Sequence, residues 1–250
     1  KFKPQLPFKP VAYRDFMLFE QHYINVAKNM VARQSQFAAS LLNVYEKLAG
    51  KPFRKLKPSK RWYEHPIYYL GNHLNFVSDG DTVSIPAYSQ ELDYELEIGI
   101  IICKPLKNAT VDEAEQAIGG FVVFNDFSAR DVQMDEMDTG FGPMKAKNFI
   151  NAISNVVVTA DEILPIIDTL TVTVTINGKE IVRNTSGGMH FSIPQAIAYA
   201  SWEEQLHPGE FFGSGTIPHC TGMENGVFLH SNDSILLEIE GIGSLYNKVE

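Results

Sequence analysis

The sequence predicts a mixed α/β (α+β) fold, with helices gathered near the N-terminus and sheet through most of the remainder. Three observations predict it. Phe16, Phe19, Tyr23 and Val26 recur at three- and four-residue spacing, the period of an amphipathic helix. Leu170, Val172, Val174 and Ile176 alternate with other residues and run into Asn177-Gly178, the pattern of a strand and its hairpin turn. Between them lie two apolar runs, Ile98-Gly99-Ile100-Ile101-Ile102-Cys103 and Phe121-Val122-Val123-Phe124, which read as buried strands.

Composition bounds the function. The chain has 250 residues, 30 acidic and 21 basic, for a formal net charge of −9. That length suits one large domain or two small ones and buries roughly 70–75% of the unfolded surface. The charge argues against a nucleic-acid groove or an anionic membrane as main partner, while leaving room for a small anionic ligand in a locally basic pocket. Cys103 and Cys220 are the only cysteines and follow no zinc or disulfide spacing, so a cytoplasmic setting is expected. No apolar run approaches the roughly 20 residues of a membrane span, and Lys1-Phe2-Lys3-Pro4 precedes no signal-peptide core. The chain opens on Lys1 rather than Met, leaving room for residues upstream.

Taken in order, residues 1–12 carry Pro4, Pro7 and Pro10 and are expected to be extended. Helices follow at 15–32 and 37–48, the second stopped by Gly50-Lys51-Pro52. Asp15 and His22 are seven apart, so on one helix they share a face about 10.5 Å apart along the axis, at two ends of one pocket. The alternative for His22 is an ordinary surface histidine. Asp79-Gly80 marks a turn before a short strand at 83–85, and a longer strand covers 94–103. Thr110-Val111-Asp112-Glu113 is a capping box opening a helix that ends near Gly119-Gly120. After the strand at 121–124, the predicted elements are a strand at 169–176, a helix from Ser192 to about Trp202 and a turn at 206–210. A strand at 211–217 follows, whose glycines let backbone approach a ligand, and then a late strand at 235–239. Gly241-Ile242-Gly243 turns the chain into a final strand.

Two polar clusters stand out against this frame. In Asp93-Tyr94-Glu95-Leu96-Glu97 the two glutamates are two apart, so on a strand they leave one face with Cα atoms roughly 6.7 Å apart. Their repulsion calls for a cation or a proton between them. The alternative is a strand with one solvated acidic face, since Glu91 and Asp93 share the parity. The second cluster is Asn125-Asp126-Phe127-Ser128-Ala129-Arg130-Asp131-Val132-Gln133, with a carboxylate at a strand end and Arg130 and Gln133 one and two helical turns beyond. Here the alternative is a helix capped by Asp126 and bridged to Arg130. Lys147, in Lys145-Ala146-Lys147-Asn148, alone reads as a solvated loop charge.

Together these pieces resemble the fumarylacetoacetate hydrolase (fumarylacetoacetase) superfamily, from about Tyr13 to the C-terminus. The Glu-x-Glu pair matches Glu95 and Glu97, and the Asn-Asp-x-Ser-Ala-Arg-Asp motif supplies Asp126. In the fumarylacetoacetase branch a fourth carboxylate precedes a catalytic histidine by seven residues, as Asp15 precedes His22. The resemblance therefore implies a divalent cation, Mg²⁺ or Ca²⁺ with Mn²⁺ also suitable, on Asp15, Glu95, Glu97 and Asp126, an all-oxygen set those ions favour. It implies catalytic roles for His22, Arg130, Gln133, Lys147 and Glu224. Arg130, Gln133 and Lys147 would form an oxyanion site, and Tyr69, Thr216, Arg130 and Gln133 would contact substrate. Departures are present: Glu224 is the nearest counterpart of the histidine-orienting glutamate but lies on a shorter loop, Val31 replaces an arginine with Arg33 nearby, and Asn72 replaces another arginine.

The implied fold is a fumarylacetoacetase C-terminal-domain-like rolled β-sheet with peripheral helices. Residues 1–80 would form a helical and extended portion contributing to the active site, and 81–250 the catalytic β-roll, as one continuous unit. The implied activity is metal-dependent hydrolysis of a C–C bond in a 1,3-diketo acid of the fumarylacetoacetate or acylpyruvate kind, by His-activated water. The alternatives are a 2-oxo acid decarboxylase or tautomerase acting on an oxaloacetate-like acid, and, from another class, a non-catalytic metal-binding homologue. The expected partners are a small anionic keto-acid substrate and a second copy in a homodimer, with neither nucleic acid nor membrane.

Overall fold

The computed structural model describes residues 5–250; residues 1–4 of the segment expected to be extended lie outside the described residues. In chain order, β1 (Ala12–Phe16) leads into α1 (Glu20–Gln34) and α2 (Gln36–Ala49), then α3 (Lys60–Glu64). Strands β2 (Tyr68–Gly71), β3 (Phe76–Ser78), β4 (Thr82–Val83), β5 (Leu92–Asp93) and β6 (Leu96–Ile102) follow. The middle of the chain holds α4 (Val111–Glu115), β7 (Ile118–Asn125), β8 (Ser128–Ala129), α5 (Arg130–Asp138), β9 (Asn151–Ile153), β10 (Val158–Thr159) and α6 (Ala160–Ile163). Last come β11 (Thr171–Ile176), β12 (Lys179–Thr185), α7 (Ile193–Ala200), β13 (Glu210–Gly213), α8 (Gly222–Asn225), β14 (Ser234–Ile239) and β15 (Gly243–Val249).

The strands form a curled main sheet of order β2-β1-β13-β6-β7-β9-β3, with β10 also on β7, and a second sheet of order β12-β11-β14-β15-β4. Strands β1, β2 and β3 from the first 80 residues lie in the same sheet as β6, β7, β9 and β13, so the two halves of the chain interleave. One face of the main sheet packs Leu96, Ile98, Ile100, Phe121 and Val123 into a core shared with Val172, Val174 and Leu237 of the second sheet. The opposite face carries a smaller aromatic layer of Tyr13, Phe76, Phe124 and Phe211 with Val122 and Ile153. Most of its rings meet edge to face, with centroids 5.4 Å apart for Tyr13–Phe76 and 5.1 Å for Phe124–Phe211, while Phe76 and Phe124 stack at 6.0 Å; both are arrangements the ring quadrupoles favour.

Several sequence-predicted elements are present nearly as expected. The helix stop at Gly50 is a left-handed cap (φ 64°), and Thr110 with Glu113 makes both bonds of a capping box. Asn177 and Gly178 both have positive φ, as a two-residue hairpin turn requires.

The principal correction is at residues 15–19. Asp15 is not helical: it lies on β1, which pairs parallel with β13 and antiparallel with β2, and the first helix begins at Glu20. The backbone N–H groups of Met17 and Leu18 are taken by Ile67 and Ser214, so tertiary pairing overrides the helical spacing of Phe16 and Phe19. Other differences concern bounds. Gly119 and Gly120 join β7 rather than ending a helix, and the 94–103 strand begins at Leu96. The 211–217 strand stops at Gly213, two residues before the positive-φ Gly215.

The aromatic layer supports the residues that follow it in each strand. Phe124→Ala is expected to cost about 3–5 kcal/mol of stability, the usual range for emptying a packed aromatic site, measured by urea unfolding. A loss below about 1 kcal/mol would show that the layer is not a packed core.

Candidate active site

Strand parity builds the site. Tyr13 and Asp15 leave the same face of β1, as do Phe211 and Gly213 of β13, and Phe124 is followed two residues later by Asp126. Asp15 is paired in register with Gly213 on one side and Tyr69 on the other. On β6, Glu97 sits on the face that presents Ile101 to the aromatic layer. Carboxylates therefore crown the aromatic layer where the strands end. Gly213 is the gap in this row: a Cβ there would lie 2.2 Å from Asp15 Oδ1 and 2.6 Å from Glu97 Oε2.

Asp15, Glu97 and Asp126 each offer an oxygen within 4.8 Å of the others, and all three are buried. Asp15 Oδ1 has no hydrogen-bond partner despite its burial. Burial raises all three carboxyl pKa values, and mutual repulsion raises those of Asp15 and Glu97 further, well above the ordinary carboxylate range. A buried cluster of hard oxygens with an orphaned acceptor and an adjacent position without a Cβ fits a divalent oxygen-seeking cation.

Glu95 stands apart from this trio. It lies one residue before β6, in a bridge with Thr221, and its oxygens accept from Arg130 Nη2 (2.5 Å) and Lys147 Nζ (2.6 Å). Burial alone would raise its pKa, but the charges of Lys147 and Arg130 hold it far below the usual range. The solvated-face alternative fails, since Asp93, Glu95 and Glu97 are all buried.

Lys147 is only 3% exposed, not a solvated loop charge, and also donates to Asp126 Oδ2 (2.5 Å). Tyr69 donates to the same oxygen (2.8 Å). Glu136 accepts from the backbone N–H groups of Met144, Lys145 and Ala146, which fixes the turn carrying Lys147. Asp126 neither caps α5, whose N-cap is Ala129, nor bridges to Arg130. Arg130 instead pairs with Asp93 and Glu95 and donates from Nη1 to Gln133 Oε1 (2.5 Å), so Gln133 joins the cluster through its carbonyl. Thr216 lies just past β13 and donates to Glu97 Oε1 at 3.5 Å.

His22, in the first turn of α1 and 6% exposed, places Nδ1 2.5 Å from Glu224 Oε1. Its charge, when protonated, acts on Glu95, which puts the ring beside the acidic cluster. Asn25 and the His219 N–H hold Glu224 Oε2, at 2.5 and 2.9 Å. The two-turn relation of Asp15 and His22 on one helix is replaced by a strand carrying one and a helix carrying the other. Arg33 is directed away from the trio, to Glu91 and to Met223 Sδ.

Sequence reasoning missed Asn25, Asp93 and Thr221. Asn25 lies three residues after His22, a spacing that points it to the same side of a helix. Asp93 opens the acidic run itself. No local signal marks Thr221.

These features have relatives. The family model for the fumarylacetoacetate (FAA) hydrolase C-terminal domain matches residues 25–250. The chain is 32% identical over 197 residues to a fumarylacetoacetate hydrolase domain-containing protein 2 homolog of Dictyostelium discoideum, covering 75% of this chain and 64% of that protein. It is 29% identical over 187 residues to the human mitochondrial oxaloacetate tautomerase FAHD2A, covering 74% of this chain and 59% of that one. The chain thus spans less than two thirds of the length of either relative. The fold is shared with a fumarylacetoacetate hydrolase from psychrophilic Exiguobacterium antarcticum at a TM-score of 0.72 and 23% identity, over 98% of this chain and 77% of that one. With a family match over nearly its whole length, and a carboxylate-crowned sheet of the same architecture, the chain belongs to the fumarylacetoacetate hydrolase family.

Proposed function

We propose that this chain is a divalent-metal-dependent hydrolase cleaving a C–C bond in a 1,3-diketo acid of the acylpyruvate or fumarylacetoacetate kind. The observation that carries the reading is the His22–Glu224 pair beside the buried acidic cluster. A structural ion needs no oriented imidazole, and a non-catalytic metal-binding protein has no use for one.

Glu224 accepting from Nδ1–H leaves Nε2 as the basic nitrogen, the tautomer a general base requires. His22 then removes a proton from water as the water oxygen bonds to the substrate carbonyl carbon. The C–C bond breaks with its electron pair on the departing enolate carbon, and His22 returns the proton there. Arg130, Gln133 and Lys147 supply donors for the oxyanion, and removal of one such donor commonly costs about 3–4 kcal/mol in the barrier. Tyr69 and Thr216 border the substrate. Asp15, Glu97 and Asp126, with Glu95 at the edge, would hold Mg²⁺, Ca²⁺ or Mn²⁺, which when bound supplies Lewis acidity to the keto oxygens and the enolate. Arg130 and Lys147 let a negatively charged protein accept an acidic substrate.

A second reading is tautomerisation or decarboxylation of an oxaloacetate-like acid, favoured by the likeness to the human tautomerase. Decarboxylation needs no activated water, so His22 separates it from hydrolysis; tautomerisation moves a proton between carbon and oxygen and itself calls for an acid–base group, so product identity separates that reading. Acylpyruvates, other diketo acids and oxaloacetate, assayed with Mg²⁺ and with chelator and read by product identity, should show metal-dependent hydrolysis. His22→Ala should lower that hydrolysis about 10²–10⁴-fold while sparing decarboxylation of oxaloacetate. Equal loss of hydrolysis and decarboxylation would remove the assigned role of His22.

A second expectation concerns stability. Carboxyls whose folded pKa is raised contribute stability that is present below their unfolded value of about 4 and lost as pH rises through the folded value. Asp15, Glu97 and Asp126 are of this kind. Chelated protein should lose this contribution as pH rises above the unfolded carboxyl value, and Mg²⁺ should raise Tm more at pH 8 than at pH 5. An equal rise at both pH values in thermal melts would contradict a cation bound among these carboxyls.

A further inference from the structure

Asp93 lies at the junction of two parts of the site that the sequence keeps 91 residues apart, Arg130 and Thr221. Its side chain is 0% exposed and lies outside the Asp15–Glu97–Asp126 trio. Oδ2 accepts from Arg130 Nε (2.9 Å) and Nη2 (2.7 Å), from Thr221 Oγ1 (2.9 Å) and from the Met223 N–H (2.9 Å). Oδ1 accepts from the Gly222 N–H (2.7 Å) and the N–H of Tyr94 (2.7 Å). A single carboxylate therefore grips the guanidinium on one side and the turn leading into Glu224 on the other. The fit is close: a Cβ at Gly222 would lie 2.6 Å from Asp93 Oδ1 and 2.5 Å from Val227 O.

The backbone reinforces this junction. Strand β5, which carries Asp93, pairs with β8 immediately before Arg130, and the Arg130 N–H donates to Glu91 O. Glu224 follows Met223 directly, and Asn29 donates to the carbonyls of both. Without Asp93, Arg130 keeps Glu95 and Gln133 but loses two of its bonds, and the 221–223 turn loses the acceptor for three donors.

We infer that Asp93 is a positioning residue that fixes Arg130 and the Glu224 carboxylate in one register, so that the oxyanion donor and the histidine dyad address the same substrate carbon. It acts through those groups and not on substrate. The catalytic half of this inference rests on the hydrolase reading; the positional half does not.

The test is Asp93→Asn, which keeps size and removes the charge, with Thr221→Val as a milder variant that removes the hydroxyl donating to Asp93 and accepting from Arg130 Nη2 and the Met223 N–H. Backbone hydrogen–deuterium exchange of the 221–224 segment should quicken at least tenfold in Asp93→Asn while β7 stays protected. The kcat for diketo-acid hydrolysis should fall about 10–100-fold with KM within about threefold, as expected when supporting contacts to a reacting group are lost. Thr221→Val should move both readouts the same way by a smaller factor. Unchanged exchange at 221–224 overturns the inference, as does a change in KM alone. Exchange that quickens throughout β7 in Asp93→Asn, with Thr221→Val indistinguishable from the parent chain, also overturns it, because Asp93 would then serve folding only. If the parent chain hydrolyses no diketo acid, the hydrolase reading fails by itself, and exchange at 221–224 still decides the positional half.

Discussion

Burying several carboxylates side by side is the constraint on which the rest of this structure depends. Asp15, Glu97 and Asp126 are at most 5% exposed, where like charges repel strongly and water cannot screen them. Asp93 and Glu95 are buried beside them, with Arg130 and Lys147 as the nearby buried cations. Those cations are unevenly placed. Arg130 and Lys147 lie against Glu95, and only Lys147 reaches Asp126. Among the described residues the Asp15–Glu97 side has no such partner, and there burial and mutual repulsion push both carboxyl pKa values well above the ordinary range. That asymmetry marks where a divalent charge would be accommodated.

The scaffold makes this arrangement possible by putting it at the end of a well-packed layer. The same strand faces that stack Tyr13, Phe124 and Phe211 continue into Asp15, Asp126 and Gly213, so the aromatic packing that stabilises the sheet also sets the spacing of the acids. Glycine at 213 leaves the space the carboxylates occupy. The helical segment adds the remaining chemistry: α1 begins only after β1 has placed Asp15, and its first turn carries His22 to Glu224.

Much of this was legible in the sequence. The two polar clusters carried Glu97, Asp126, Arg130 and Gln133, and the resemblance added Lys147; the structure sets Arg130 and Lys147 against the acids, with Gln133 held by Arg130. The resemblance implies Glu224 as the glutamate that orients His22, and the two side chains meet. What local pattern could not give was long-range pairing. Phe16 and Phe19 have helical spacing, yet the strand ladder of β1 with β13 and β2 decides residues 12–16. Glu95 and Glu97 have strand spacing, yet Glu95 lies outside β6 and turns to two cations supplied from positions 130 and 147. Asp93 looked like one more acid in a charged run because its partners, Arg130 and Thr221, are distant in sequence.

The central claim is that Asp15, Glu97 and Asp126 enclose one divalent cation. Crystals grown with Mn²⁺ and measured at the manganese absorption edge test it most directly. The account predicts a single strong anomalous peak within about 2.0–2.4 Å of oxygens from all three side chains. A peak elsewhere, or none at saturating Mn²⁺ with the three carboxyls still clustered, would contradict it.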